Sequence, residues 1–332
     1  MTRPTPEALI VGSHVQACCW HVDRLPRAGE SVAATSFTQE IGGKGLNVAI
    51  GLARLQRQPG AVAALMGRGT DAAGDALLDL LAAEGVDARH VVRLPGSSGM
   101  GCGLIGPDGE NQIAVAPGAN ALLTAAHAEA ATASLAAARV VYAQFEAALP
   151  MVERALSIAA DAGVLTVLNP SPWHASSTEL RRATRALIVN ESEAATLLGG
   201  HAAWRAGRMR RALAHLEPQW PNLTQLLVTL GPDGSLGFAR GGPGERWQGW
   251  QADTCPVQAV DSVGAGDAFS AACLDAWLEG CDMTQVLRRA QFCAAHVVAG
   301  VGVLARLPHR PQLEQWLRDG TVSEVREISL DR

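Results

Sequence analysis

Short runs of Val, Ile and Leu recur along the chain, with Ala- and Leu-rich stretches of helical length between them. That alternation narrows the architecture sharply. Continuous apolar runs make strands buried on both faces, and helices laid over a mostly parallel sheet are what bury them so. Core strands are predicted at residues 8–11, 62–66, 140–144, 166–168, 187–189 and 226–229, and helices at 71–83, 150–162, 191–198 and 204–216. After Asp261 the pattern predicts an almost wholly helical chain. At 332 residues it fits one large α/β domain with an appendage, or two ordinary domains.

Two stretches break the rhythm. Residues 13–41 show polar alternation around Pro26, and residues 98–118 read as strand, turn, strand, with Pro107, Asp108 and Gly109 supplying the turn. Neither is long enough for a core of its own, so the two are expected to pair as a small sheet over one end of the main domain. The expected division is an α/β core (1–12, 42–97 and 119–332) and a β-sheet lid (13–41 and 98–118) over one end of it. An unpaired edge on such a lid makes a homodimer through it the expected assembly. The Gly/Pro-rich tip around residues 241–244 is the one stretch that reads as flexible.

The formal net charge of −5 and the scattered cations leave no basic stripe for nucleic acid. No apolar run approaches the ~20 residues of a membrane span, and the first residues lack the pattern of a secretory signal, so a cytoplasmic enzyme is expected. Seven irregularly spaced cysteines are expected to be reduced. The chain has no CxxC, no HExxH and no ligand-spaced histidines, so any metal is expected to arrive with a nucleotide.

Chemistry concentrates in two glycine-rich segments. DSVGAGD (261–267) runs straight into an Ala/Leu-rich helix. Gly264 and Gly266 allow a tight turn at a helix N-terminus, where free N–H groups and the helix dipole hold negative charge; Asp267, in the first turn, is then placed to take a proton from a hydroxyl attacking a phosphoryl group. The competing reading is a glycine turn with Asp267 as an ordinary helix-start residue. IGGKGLN (41–47) again joins glycines, a cation and an amide at a helix start, and two such loops suggest two halves of one site. Lys44 is the only lysine in a chain whose other 26 basic residues are arginine, which suits a point charge fitted close to an anionic or polyhydroxylated ligand better than a solvated loop cation. Two look-alikes fail on context. GCGLIG (101–106) has the spacing of a dinucleotide fingerprint but is followed by a turn instead of a helix, and GGKG lacks the spacing and hydroxyl residue of a Walker A loop.

On these segments the chain resembles the ribokinase-like, or PfkB, carbohydrate kinases from about residue 12 to residue 308. GGKGLNVA is similar to the family's N-terminal signature and DSVGAGDAF to its C-terminal one, in the right order and at nearly the family separation; PGAN (117–120), LNPSP (168–172), NESE (190–193) and TLGPDG (229–234) are similar to intermediate segments. The resemblance implies a ribokinase-like three-layer α/β/α fold with a small β-sheet lid, and transfer of the γ-phosphoryl group of ATP to a sugar hydroxyl. It implies Asp267 as base, and Gly264, Ala265 and Gly266 as anion hole. Gly42 and Gly43 become the lid hinge, with Lys44, Asn47 and Glu146 on the sugar. Asn190 and Glu193 would organise Mg²⁺ and phosphates, Glu193 through water, and Thr229, Gly231 and Gly234 would line the nucleotide site.

The departures fall on substrate choice. The Asp by which ribokinases grip the sugar aligns with Ala17, and His14 and Val15 surround the accompanying Asn position. Lys44 points toward ribokinases and phosphosugar kinases, yet Ile50 lies near the Arg of the latter. AGVGVLARLP matches the family's monovalent-cation loop poorly, which weighs against a K⁺ site at Asp261 and Val263. The alternatives kept open are a nucleoside kinase of the same fold and a ribokinase-fold binding protein without turnover.

Overall fold

The computed structural model describes residues 5–107, 110–199, 209–319 and 323–330. The chain begins in β1 (Ala8–Val11), leaves it for β2 (Val15–Val22) and β3 (Ala34–Gly42), and returns through α1 (Lys44–Leu55) to β4 (Val62–Arg68), α2 (Ala72–Ala83) and β5 (Asp87–Arg93). A second excursion, β6 (Gly99–Ile105) and β7 (Asn111–Ala116), precedes α3 (Ala125–Ala130) and α4 (Thr132–Ala137). Then come β8 (Val140–Gln144), α5 (Leu149–Asp161), β9 (Leu165–Asn169), α6 (Thr178–Ala183), β10 (Ala186–Asn190), α7 (Glu191–Leu197) and α8 (Met209–Leu216). Strands β11 (Gln225–Thr229), β12 (Ser235–Ala239) and β13 (Gln248–Ala252) lead into α9 (Ala265–Leu278), α10 (Met283–Val298), α11 (Val303–Arg306), α12 (Arg310–Asp319) and β14 (Val325–Ile328).

Ten strands form one sheet in the order β14-β13-β12-β11-β10-β9-β8-β1-β4-β5, parallel from β11 to β5. β1 and β8 are buried along their whole length, which is why their sequences read as unbroken apolar runs. The period of two still sorts their side chains. Leu9 and Val11 join a core under α3, α4, α5 and α8, whereas Ala8 and Ile10 join a second core under α1, α2, α9 and α10. Strand order reverses between β1 and β8, and such a switch point opens a crevice at the carboxyl ends of the strands.

The two interrupting stretches pair with each other. β3-β2-β6-β7 make a separate four-stranded sheet, with β2 and β6 parallel at its centre. Asn120 pins its base: the side chain accepts from His14 N (3.2 Å) and donates to His14 O (2.8 Å) and Pro117 O (3.0 Å). Of the turn expected at 107–109, Asp108 and Gly109 lie outside the described residues, as do residues 204–208 of the helix expected at 204–216.

Helices α1 and α9, which begin in the two glycine motifs, lie close together; a Cβ on Gly51 would sit 3.0 Å from Ala271 Cβ. Buried Asp275 ties them, accepting from Gln56 Nε2 (2.9 Å), Arg289 Nη1 (3.0 Å) and Arg310 Nη2 (2.5 Å). After Asp261 the chain is almost wholly helical, as expected, with one exception: VREI pairs antiparallel to β13 as the sheet's edge. Among the described residues no helix is long and apolar enough to cross a membrane.

Candidate active site

The two glycine motifs meet at the mouth of the crevice. Asn47 Nδ2 donates to Asp267 Oδ2 at 2.7 Å, joining residues 220 positions apart. Asn47 Oδ1 is buried and has no partner, an acceptor left for a hydroxyl to satisfy. Backbone shape puts them there. Gly43, ahead of α1, has φ 113°, and a Cβ on it would fall 2.7 Å from Ser13 O; Gly264, ahead of α9, is left-handed at φ 81°, with Val303 Cγ1 2.3 Å from where its Cβ would be. A side chain at either glycine would push the helix start out of place.

Glu146 follows β8 across the switch point. Its Oε2 accepts from Ser13 Oγ (2.6 Å) and from the backbone N–H of Lys44 (3.0 Å). Ser13 Oγ in turn accepts from Gln144 Nε2 (3.2 Å). Sequence reasoning missed Ser13 and Gln144, since neither carries a charge or motif and their partner lies more than 130 residues away. Asn120 was noted only within PGAN.

The setting raises the Asp267 pKa to about 6, chiefly because burial penalises the ionised carboxylate. The Lys44 charge and the Asn47 hydrogen bond pull it back, and Glu146 pushes it up. Asp267 as a residue is only half-buried. At the start of α9 the Ala265 N–H already serves Ser262 O at 3.3 Å, while Gly266 and Asp267 contribute first-turn amides. A Cβ on Gly266 would meet nothing within 4 Å, so the approach to its backbone is open.

Beyond that turn lies a cavity of about 500 Å³. Thr229, Gly231 and Gly234 line it with Ala265 and Gly266, and Val257, Ala294 and Val298 supply apolar wall. Its size and greasy lining suit a heteroaromatic ring system, with a polyanionic tail leading to the α9 amides. Asn190 stands beside Thr229 in the β10–β11 pairing. With Glu193 it forms a reciprocal cap on α7: Asn190 Oδ1 accepts from Glu193 N and Glu193 Oε2 from Asn190 N, both at 2.9 Å. Glu193 Oε1 lies outside the cap. Asp261 Oδ1 accepts from Val263 N (3.0 Å), and Val263 is exposed. Among the described residues no three His, Cys, Asp or Glu gather into a metal cage.

Comparisons with known proteins give the family. A family model described as pfkB family carbohydrate kinase matches residues 6–310. The ribokinase of Haemophilus influenzae is 29% identical over 301 residues, 90% of this chain and 94% of the relative. The deoxyribokinase of Salmonella typhi is 26% identical over 311 residues, 93% of this chain and 97% of the relative. Among solved structures, Arabidopsis thaliana ribokinase, complexed with ribose and ATP, superposes with a TM-score of 0.83 at 27% identity, covering 95% of this chain and 99% of that one. Giardia lamblia ribokinase superposes with a TM-score of 0.85 at 24% identity, covering 95% and 99%, and is similar in fold.

Proposed function

The chain belongs to the pfkB family of carbohydrate kinases and is an ATP-dependent sugar kinase, and from that premise we propose that Asp267 is the general base of the transfer. The observation that carries this reading is the 2.7 Å hydrogen bond between Asn47 and Asp267, because it sets a carboxylate of raised pKa beside a free buried acceptor at the start of two helices.

A sugar hydroxyl held by Asn47 and Lys44 gives its proton to Asp267 as its oxygen attacks the terminal phosphorus of ATP. The new O–P bond forms, the bond to the bridging oxygen breaks, and ADP leaves. The amides at the head of α9 and the Lys44 ammonium steady the charge on the phosphoryl oxygens, and Glu146, locked by Ser13, holds the Lys44 backbone beside the sugar. Thr229, Gly231 and Gly234 hold the nucleotide. Gly42 and Gly43 serve as the hinge on which the small sheet, residues 13–41 and 98–118, closes and excludes water.

Magnesium fits this donor set, since an ion that arrives with phosphates takes few protein ligands, and Glu193, by way of water, and Asn190 would hold it. When bound, it would neutralise phosphate charge. Asp261, whose Oδ1 accepts from Val263 N, and Val263 are retained as the candidate K⁺ positions. Free thiols at all seven cysteines support a cytoplasmic setting. Phe37 and Met100, half exposed on the outer face of the small sheet, with Trp20 5.0 Å from Phe37, support a homodimer through that sheet, which sedimentation at several concentrations tests.

Asp267→Asn tests the base. We expect kcat to fall by roughly 10²-fold or more with nucleotide affinity kept, and near-normal turnover would remove Asp267 from the mechanism.

A further inference from the structure

The glycines of the segment rejected as a dinucleotide fingerprint lie on β6. There Gly101 pairs with Ala17 of β2 and with Val115 of β7, and Gly103 with Cys19. On the other side of β2, Glu40 pairs with Ala17 and Gly42 with Val15. Paired residues share a face, so Val15, Ala17, Gly101 and Val115 stand together with Glu40 on one side of the small sheet. Two anchors turn that side toward the catalytic cleft. A Cβ on Gly42 would lie 4.0 Å from Asn47 Oδ1, and a Cβ on Gly302, next to the Val303 that borders Gly264, would lie 3.4 Å from Glu40 Oε1.

A glycine inside a strand weakens it, and its usual reasons are a bulge, a bend or the close approach of another group. The pairing through Gly101 is regular on both sides and its φ is not positive. The protein's own packing does not demand a glycine either: a Cβ there would make ordinary contact, 3.5 Å from Val15 Cγ1 and 4.0 Å from Ala17 Cα. The room that glycine leaves suits the close approach of a ligand. With only a methyl at Ala17 beside it, Gly101 leaves a shallow hollow between Val15 and Val115, apolar except at its border, where Glu40 pairs with Ala17. A sugar hydroxyl over Gly101 and these apolar side chains would give up water, with only the Glu40 carboxylate at the border to offer a hydrogen bond in return.

We propose that this hollow holds an apolar substituent of the sugar, an alkyl or aryl group on its side away from the accepting hydroxyl, so that the preferred acceptor is a substituted sugar and not a free one. The proposal rests on the sugar-kinase reading of the same site.

The test is ATP-dependent phosphorylation of ribose, 2-deoxyribose and common hexoses beside their methyl, benzyl and phenyl glycosides, with nucleosides as a separate arm for a heterocyclic source of the same apolar group. At least one substituted sugar should exceed its parent about tenfold or more in kcat/KM, the scale on which an apolar pocket discriminates. Gly101→Val, a change that strands favour, should keep or raise the melting temperature and cut the substituted-to-parent kcat/KM ratio about tenfold or more. A free sugar preferred over all its derivatives, or a ratio unmoved in Gly101→Val, overturns the substituent and leaves the kinase standing. No phosphorylation of any acceptor overturns both.

Discussion

Asp267 balances two demands on one carboxyl. As a base it must be ionised, so kcat/KM should fall as pH drops through about 6, a limb readable from a pH–rate profile. Its neighbours set where that limb lies. Lys44→Gln removes the charge that holds the carboxyl down and should move the limb to higher pH; Glu146→Gln removes a repelling charge and should move it lower. Opposite shifts in the two profiles would tie both side chains to this carboxyl, whereas unmoved limbs would detach them. For stability the sign is reversed. With a folded pKa above the ordinary 3.8, Asp267 is neutral in both states at low pH, and its burial penalty grows as pH rises from 3.8, where the unfolded chain ionises, and is complete above about 6. Asp267→Asn should therefore melt above the wild type at pH 8, with the gap closing toward pH 4.

At the scale of the element, two helix starts carry the site, the α1 start set against backbone at Gly43 and the α9 start against the Val303 side chain at Gly264. Gly264→Ala forces a left-handed alanine into the Val303 side chain, so we expect a lower melting temperature and kcat reduced about tenfold or more, as reacting groups shift by fractions of an ångström. Unchanged kinetics would mean that the α9 start tolerates displacement. These starts were legible in the sequence because glycine, a polar cap and an apolar helix are local signals. So were the central strands β1, β4, β8, β9, β10 and β11, whose runs are long enough to stand out. β5 and β14 were not, and of β12 and β13 only the hairpin tip between them was. DARHVVR mixes charge with apolar residues at the sheet's edge, SLGFA and QGWQA contain glycine, and VREI gains its strand character only from β13. The Asn190–Glu193 pair shows another limit: one spacing encodes both a helix cap and a phosphate-organising pair, and the side-chain bonds fill the first while leaving an oxygen for the second.

At the scale of the whole molecule, the catalytic geometry depends on α1 and α9 keeping their mutual position, and Asp275 is the fastening. Asp275→Ala leaves Gln56, Arg289 and Arg310 without their buried acceptor, and should destabilise the fold by about 3–5 kcal/mol in urea denaturation. A loss under about 1 kcal/mol would mean that water or Glu279, already bound to both arginines, takes over. The crossing of partners at 133 and 220 residues' separation is what no linear reading could supply, since Ser13–Glu146 and Asn47–Asp267 exist only once the switch point has formed.

A chain whose one lysine sits beside its proposed base carries its own reporter. Every other side-chain cation is a guanidinium, inert to mild acylating reagents, so Lys44 offers the sole ε-amine for them to modify. Reagent uptake at that single position, followed by mass spectrometry, becomes a direct gauge of how far the cleft is occupied, and bound acceptor plus nucleotide should slow it.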